Sequence, residues 1–103
     1  MAEDLSGQNV FPYFYNFVAP DTSTTEIKLP SSCSRISIGA QSKALFVCRN
    51  NATDGGTIPT HKGFVPSSNY LTLQIGKGLE RTSSIFIASQ SGNADVSVIL
   101  EET

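Results

Sequence analysis

From Thr24 onward the chain alternates apolar and polar residues in short runs, most clearly Thr24-Thr25-Glu26-Ile27-Lys28-Leu29, Tyr70-Leu71-Thr72-Leu73-Gln74-Ile75 and Asp95-Val96-Ser97-Val98-Ile99-Leu100. A period of two puts successive side chains on opposite faces of a strand, so each run lines a core with one face and leaves the other wet. Further strands are expected over 34–39, where Ile36 and Ile38 share a face, at Phe64-Val65, and over 83–89. Residues 43–49 carry apolar side chains on both faces, as a central strand does. Gly, Ser, Asn and Pro clusters separate the runs at 19–23, 30–32, 39–42, 66–68, 76–78 and 91–93. Seven or eight strands at such spacings, without a helix, predict an all-β fold: a single antiparallel β-sandwich, jelly-roll or immunoglobulin-like.

The amino end reads differently. Residues 1–10 are small, polar and acidic around Gly7, which predicts an N-terminal arm, with one sandwich domain over 11–103. Phe11-Pro12-Tyr13-Phe14-Tyr15-Asn16-Phe17-Val18 then holds five of the chain's nine aromatic residues, on both faces of any strand it forms. Pro12 cannot donate to a ladder, so this strand belongs at an edge or begins there. A two-faced aromatic strand needs cover on both sides. The domain core supplies one cover; loops of the same domain or a neighbouring subunit supply the other. On the second reading Phe11, Tyr13, Phe14, Tyr15 and Phe17 form a subunit interface.

A length of 103 residues allows one two-layer core. The hydrophobic fraction is 39% and the charged fraction 16%, so the wet strand faces are dressed mainly in Ser and Thr. A net charge of -2 gives no field for holding phosphates, and a nucleic-acid partner is not expected. Charge is nonetheless uneven: residues 35–81 carry six bases against Asp54 and Glu80, while the flanks carry seven acids and only Lys28. That split serves either head-to-tail contact between subunits or nothing at all, if folding interleaves the segments. With no apolar run near Met1 and none long enough to span a bilayer, the sequence predicts synthesis in the cytoplasm and no membrane partner. A reducing compartment favours free thiols at Cys33 and Cys48. A hairpin of 34–39 with 43–49 would bring those sulfurs near one another in register.

Chemistry is sparse. Nucleophilic catalysis needs an activating base, and the single histidine, His61, lies in the Gly-rich connection 50–63. One His with two Cys fifteen apart matches no zinc pattern, and Glu3-Asp4 and Glu101-Glu102 read as solvated ends. Gly76-Lys77-Gly78 and Asp54-Gly55-Gly56 lack the strand-to-helix context of a phosphate cradle, and Asn51-Ala52-Thr53 is a glycosylation pattern that only export would make usable. The expectation is therefore a chain that binds and builds, without catalysis, metal or cofactor. Its long connection is the place for contacts with other molecules, through Asn50, Asn51, Asp54, His61 and Lys62.

The runs Ser34-Arg35-Ile36-Ser37-Ile38-Gly39, Ala44-Leu45-Phe46-Val47, Leu71-Thr72-Leu73, Ile85-Phe86-Ile87-Ala88-Ser89 and Val96-Ser97-Val98-Ile99-Leu100 resemble those of small β-sandwich structural proteins of tailed bacteriophage virions. The likeness covers residues 24–102 in the style of its strands and includes no diagnostic motif. It implies a capsid decoration or cement protein located in the virion, a homotrimer whose terminal arm grips neighbours, with the major capsid protein or another virion protein as partner. Sugar-binding domains of phage fibres look similar, and a carbohydrate-binding module is the alternative. In that case Tyr70, Asn69 and Gln74, or Asn50-Asn51, would meet the sugar.

Overall fold

The computed structural model describes residues 2–49, 52–75 and 83–102, and among these it contains nine strands and no helix. They are β1 (Glu3–Asp4), β2 (Tyr13–Ala19), β3 (Thr25–Lys28), β4 (Arg35–Ala40), β5 (Leu45–Cys48), β6 (Gly63–Val65), β7 (Asn69–Gln74), β8 (Ser84–Ser89) and β9 (Ala94–Glu101). Two sheets result: five strands in the order β1-β3-β8-β5-β6 and four in the order β2-β9-β4-β7. Every pairing is antiparallel except β1 with β3. The architecture is sandwich-like, because the inward rows of both sheets meet in one apolar cluster.

Alternation in the sequence becomes those rows directly. In the four-stranded sheet the register aligns Tyr13, Leu100, Ile36 and Leu73 across the strands, then Tyr15, Val98, Ile38 and Leu71. Leu100, Val98, Ile36 and Ile38 have no exposed surface, while the edge residues Tyr13, Tyr15, Leu71 and Leu73 are half-buried against them. Ile27, Ile85, Ile87, Leu45, Val47 and Val65 form the matching face of the five-stranded sheet.

Strands β4 and β5 follow one another in the chain but lie in different sheets, so the 34–39/43–49 hairpin does not form. An apolar face tells a strand that it must pack inward; it does not say in which layer. Cys33 and Cys48 are both buried and unbridged, and the Cys33 thiol donates to the Arg35 carbonyl at 3.3 Å. Strand β5 is interior to its sheet, flanked by β8 and β6, as its two-sided apolar pattern predicts. At the amino end, Glu3–Asp4 add a fifth strand beside β3, and Leu5, 3% exposed, enters the core. The described part of the segment read as an arm thus lies, at least through Leu5, against the domain's own sheet.

The long connection is also tied down in part. Thr24, wholly buried, donates its N–H to the Gly56 carbonyl at 3.0 Å and its hydroxyl to the Thr53 carbonyl, and accepts from the Gly55 N–H at 2.7 Å. Gly55 has φ +74°, a left-handed conformation that a side chain disfavours, which lets the loop fold back onto β3.

The core and the exposed face of β2 should respond very unequally to truncation. Ile38→Ala empties a fully buried site and is expected to cost about 2–5 kcal/mol. Phe14→Ser, at a side chain 66% exposed, should stay within about 0.5 kcal/mol of the parent chain. Denaturant unfolding of dilute protein measures both.

Candidate functional site

Strand β2 is an edge strand, paired through Tyr13–Ala19 with β9 on one side. Its period of two sorts the aromatic run into two sets with different surroundings. Tyr13, Tyr15 and Phe17 point inward opposite Leu100, Val98 and Val96 and stack in a row, with ring centroids 6.4 and 6.2 Å apart. Among the described residues no further strand covers them at this edge, so the rings fill the open flank between the sheets and remain half-buried. Phe11 packs beside them against the same core. Of the five rings expected at a subunit interface, four therefore pack first on the protomer's own interior.

The other set faces outward. Phe14 is 66% exposed and Val18 56% exposed, with Asn16 exposed between them and Val10, 73% exposed, upstream. Val18 and Val10 were not among the residues singled out from sequence; the signal was available in the outward parity that Val18 shares with Phe14.

A polar bond crosses the open flank. The Tyr15 hydroxyl donates to the Glu3 carboxylate on β1, joining the edge of one sheet to the edge of the other. That bond, followed by burial, pushes the Tyr15 phenol above its ordinary value. The sequence alone marks Glu3 as part of a solvated end, because two adjacent acids carry no strand pattern.

Loop residues disperse. Asn50 and Asn51 lie outside the described residues. Asp54 accepts the Glu26 N–H at 3.0 Å, and that bond holds its carboxyl below the ordinary range. Lys62 donates to the Pro59 and Thr60 carbonyls, each at 3.3 Å, and sits 5.2 Å from the centre of the Phe46 ring. His61 is exposed. Burial raises the Cys48 thiol, with Lys62 offsetting part of the rise, which disfavours the thiolate a nucleophile needs. Among the described residues no group of three or more His, Cys, Asp or Glu side chains could hold a metal ion.

The outer face of the four-stranded sheet carries a second aromatic feature. Tyr70 on β7, 57% exposed, lies across Gly39 on β4, where a Cβ would come within 2.6 Å of the ring. Its hydroxyl reaches Ser97 at 3.5 Å, and beside it Ser37 and Thr72 share a 3.0 Å hydrogen bond. Arg35 closes this face with a two-pronged contact to Glu101, at 3.1 and 3.2 Å.

Removing the Tyr15 hydroxyl isolates the cross-flank bond. Tyr15→Phe is expected to lose about 1 kcal/mol or less, since the pair is only partly buried. A raised phenol pKa means the bond contributes in full below about pH 10 and is lost as pH rises through the folded-state value. Stability curves of the two proteins should therefore differ at neutral pH and converge at strongly alkaline pH. No family model, curated protein or solved structure matches the chain.

Proposed function

We propose that the chain is a non-enzymatic structural protein of a bacteriophage virion, a capsid decoration or cement protein made in the host cytoplasm. It binds neighbouring subunits of its own kind and a major capsid or other virion protein. One observation carries this reading: Phe14 and Val18, both more than half exposed, project from an edge strand that bears no charged residue. Exposed apolar side chains grouped on one strand favour a protein contact, and buried aromatic anchors dominate such contacts.

Strand order supports the finer fold assignment. With β1 set aside, β2-β9-β4-β7 facing β3-β8-β5-β6 is the order of a jelly roll of two Greek keys, an architecture found in viral capsid and lectin domains. That is an argument from fold, and it raises the virion reading without identifying a site.

A carbohydrate-binding module of a phage fibre or tail is the second reading, favoured by the Tyr70 ring held against Gly39 beside the hydroxyls of Ser97, Ser37 and Thr72. A flat, half-exposed ring among hydroxyls suits stacking on a sugar face.

Cosedimentation of the purified chain with phage heads lacking decoration tests the first reading, which expects saturable binding. Phe14→Ser with Val18→Ser should weaken it about 30-fold or more, the equivalent of one strong anchor of about 2 kcal/mol. Unchanged binding by that variant would remove the anchor assignment. Binding on a glycan array that Tyr70→Ala abolishes, with no binding to heads, would favour the second reading.

A further inference from the structure

We infer that two copies of this chain pair edge to edge through β2, antiparallel about a two-fold axis at Asn16, joining their four-stranded sheets into one of eight strands. This rests on the proposal that β2 is a contact strand, and adds the partner, the register and the symmetry. Among the described residues the main chain of Tyr13–Ala19 bonds with β9 alone, so its other side presents a row of open donors and acceptors. Such a row is a template for another strand unless charge, brevity or a cover blocks it. Strand β2 is seven residues long and uncharged, and among the described residues no strand or loop bonds to its open side. By contrast β1 has two residues, both acidic, and β6 has three.

The sequence around the edge is close to a palindrome. Pro12-Tyr13-Phe14-Tyr15-Asn16-Phe17-Val18-Ala19-Pro20 has Asn16 at its centre and a proline four residues to either side. Two such strands centred on Asn16 place Pro12 opposite the second copy's Pro20, so the residues without an N–H bracket the new ladder symmetrically. Exposed Phe14 then lies beside the second copy's exposed Val18, and the reverse, so that both pairs lose water together. On the inner side half-buried Tyr15 meets Phe17 of the second copy, and large Tyr13 meets small Ala19. Asn16 faces Asn16, and a slip by two residues would set each amide against an aromatic or aliphatic neighbour, which fixes the register. An isologous contact of this kind closes at two copies.

The opposite edge of the same sheet offers less. Strand β7 is also uncharged, but Tyr70 on its outer face folds back over Gly39 and Thr72 bonds Ser37, so two of its exposed side chains already have partners within the sheet. A two-fold pair also differs from the trimer that the phage resemblance implies.

A single-strand contact falls in the small class of interfaces, below about 1,200 Å² in total, so pairing is expected to depend on concentration. The test combines mass and position. Light scattering from about 1 µM to about 1 mM should show monomer passing to dimer and no further. Asn16→Lys, which sets two like charges on the axis at an exposed site, should remain monomeric with an unchanged far-ultraviolet spectrum. Under mild oxidation Asn16→Cys should give a covalent dimer on a non-reducing gel, and Phe14→Cys mixed with Val18→Cys should give the heterodimer. Thr72→Cys, on the far edge, and the parent chain with its two buried thiols should give neither. A monomer throughout, a trimer, mass that grows without limit, or cross-linking through Thr72→Cys in place of Asn16→Cys would overturn the inference. A strict monomer that still binds phage heads would overturn the pairing and leave the virion reading standing; a dimer cross-linked at Asn16 that binds no heads would do the reverse.

Discussion

Strand β9 is the element on which the molecule depends. Ala94, Val96, Val98 and Leu100 alternate along it with no exposed surface, and the strand bonds β2 on one side and β4 on the other. Three strands of the four-stranded sheet thereby take their register from one run of eight residues. A one-residue slip would turn all four buried side chains to water and bring Asp95 and Ser97 into the core, so the pairing is specified by burial as well as by hydrogen bonds. Everything placed on β2, including the orientation of Phe14 and Val18, inherits that register.

The strands of the core were legible because they obey a two-residue period under opposing demands of core and solvent. Ile36 and Ile38, Leu71 and Leu73, and Val96 and Val98 announce their faces with no help from neighbours. Which sheet a strand joins is not written in its period, since both sheets ask for the same alternation; hence β4 and β5 read as hairpin partners and lie in opposite layers. Strand β1 is not legible in the sequence because two acidic residues have no pattern, and the apolar side chain that docks, Leu5, follows the strand. The aromatic run was legible as an anomaly but not as a division of labour. Its parity separates rings that close the sandwich from rings that face outward, and the flank they close exists only once both sheets are assembled.

The charge asymmetry of the sequence is partly resolved by folding. Arg35, from the basic middle, binds Glu101, from the acidic flank, because β4 and β9 are neighbours in space though 66 residues apart. Asp54 likewise serves the main chain of β3, whose Glu26 N–H it accepts, where the sequence suggested a residue free for outside contacts. Segregation along a chain says little about segregation on a surface when successive strands alternate between layers.

That alternation has a bearing on how the chain is made. Among the described strands only β5 and β6 bond as sequence neighbours, and β9, the last of the nine, sits in the middle of its sheet between β2 and β4. During synthesis β2 leaves the ribosome with no strand to bond until some eighty residues later, its unpaired aromatic rows exposed meanwhile to every other nascent copy nearby. The fold thus withholds its own partner from its stickiest strand until some eighty further residues have been made, and a polysome crowded with growing chains is where that delay would be felt.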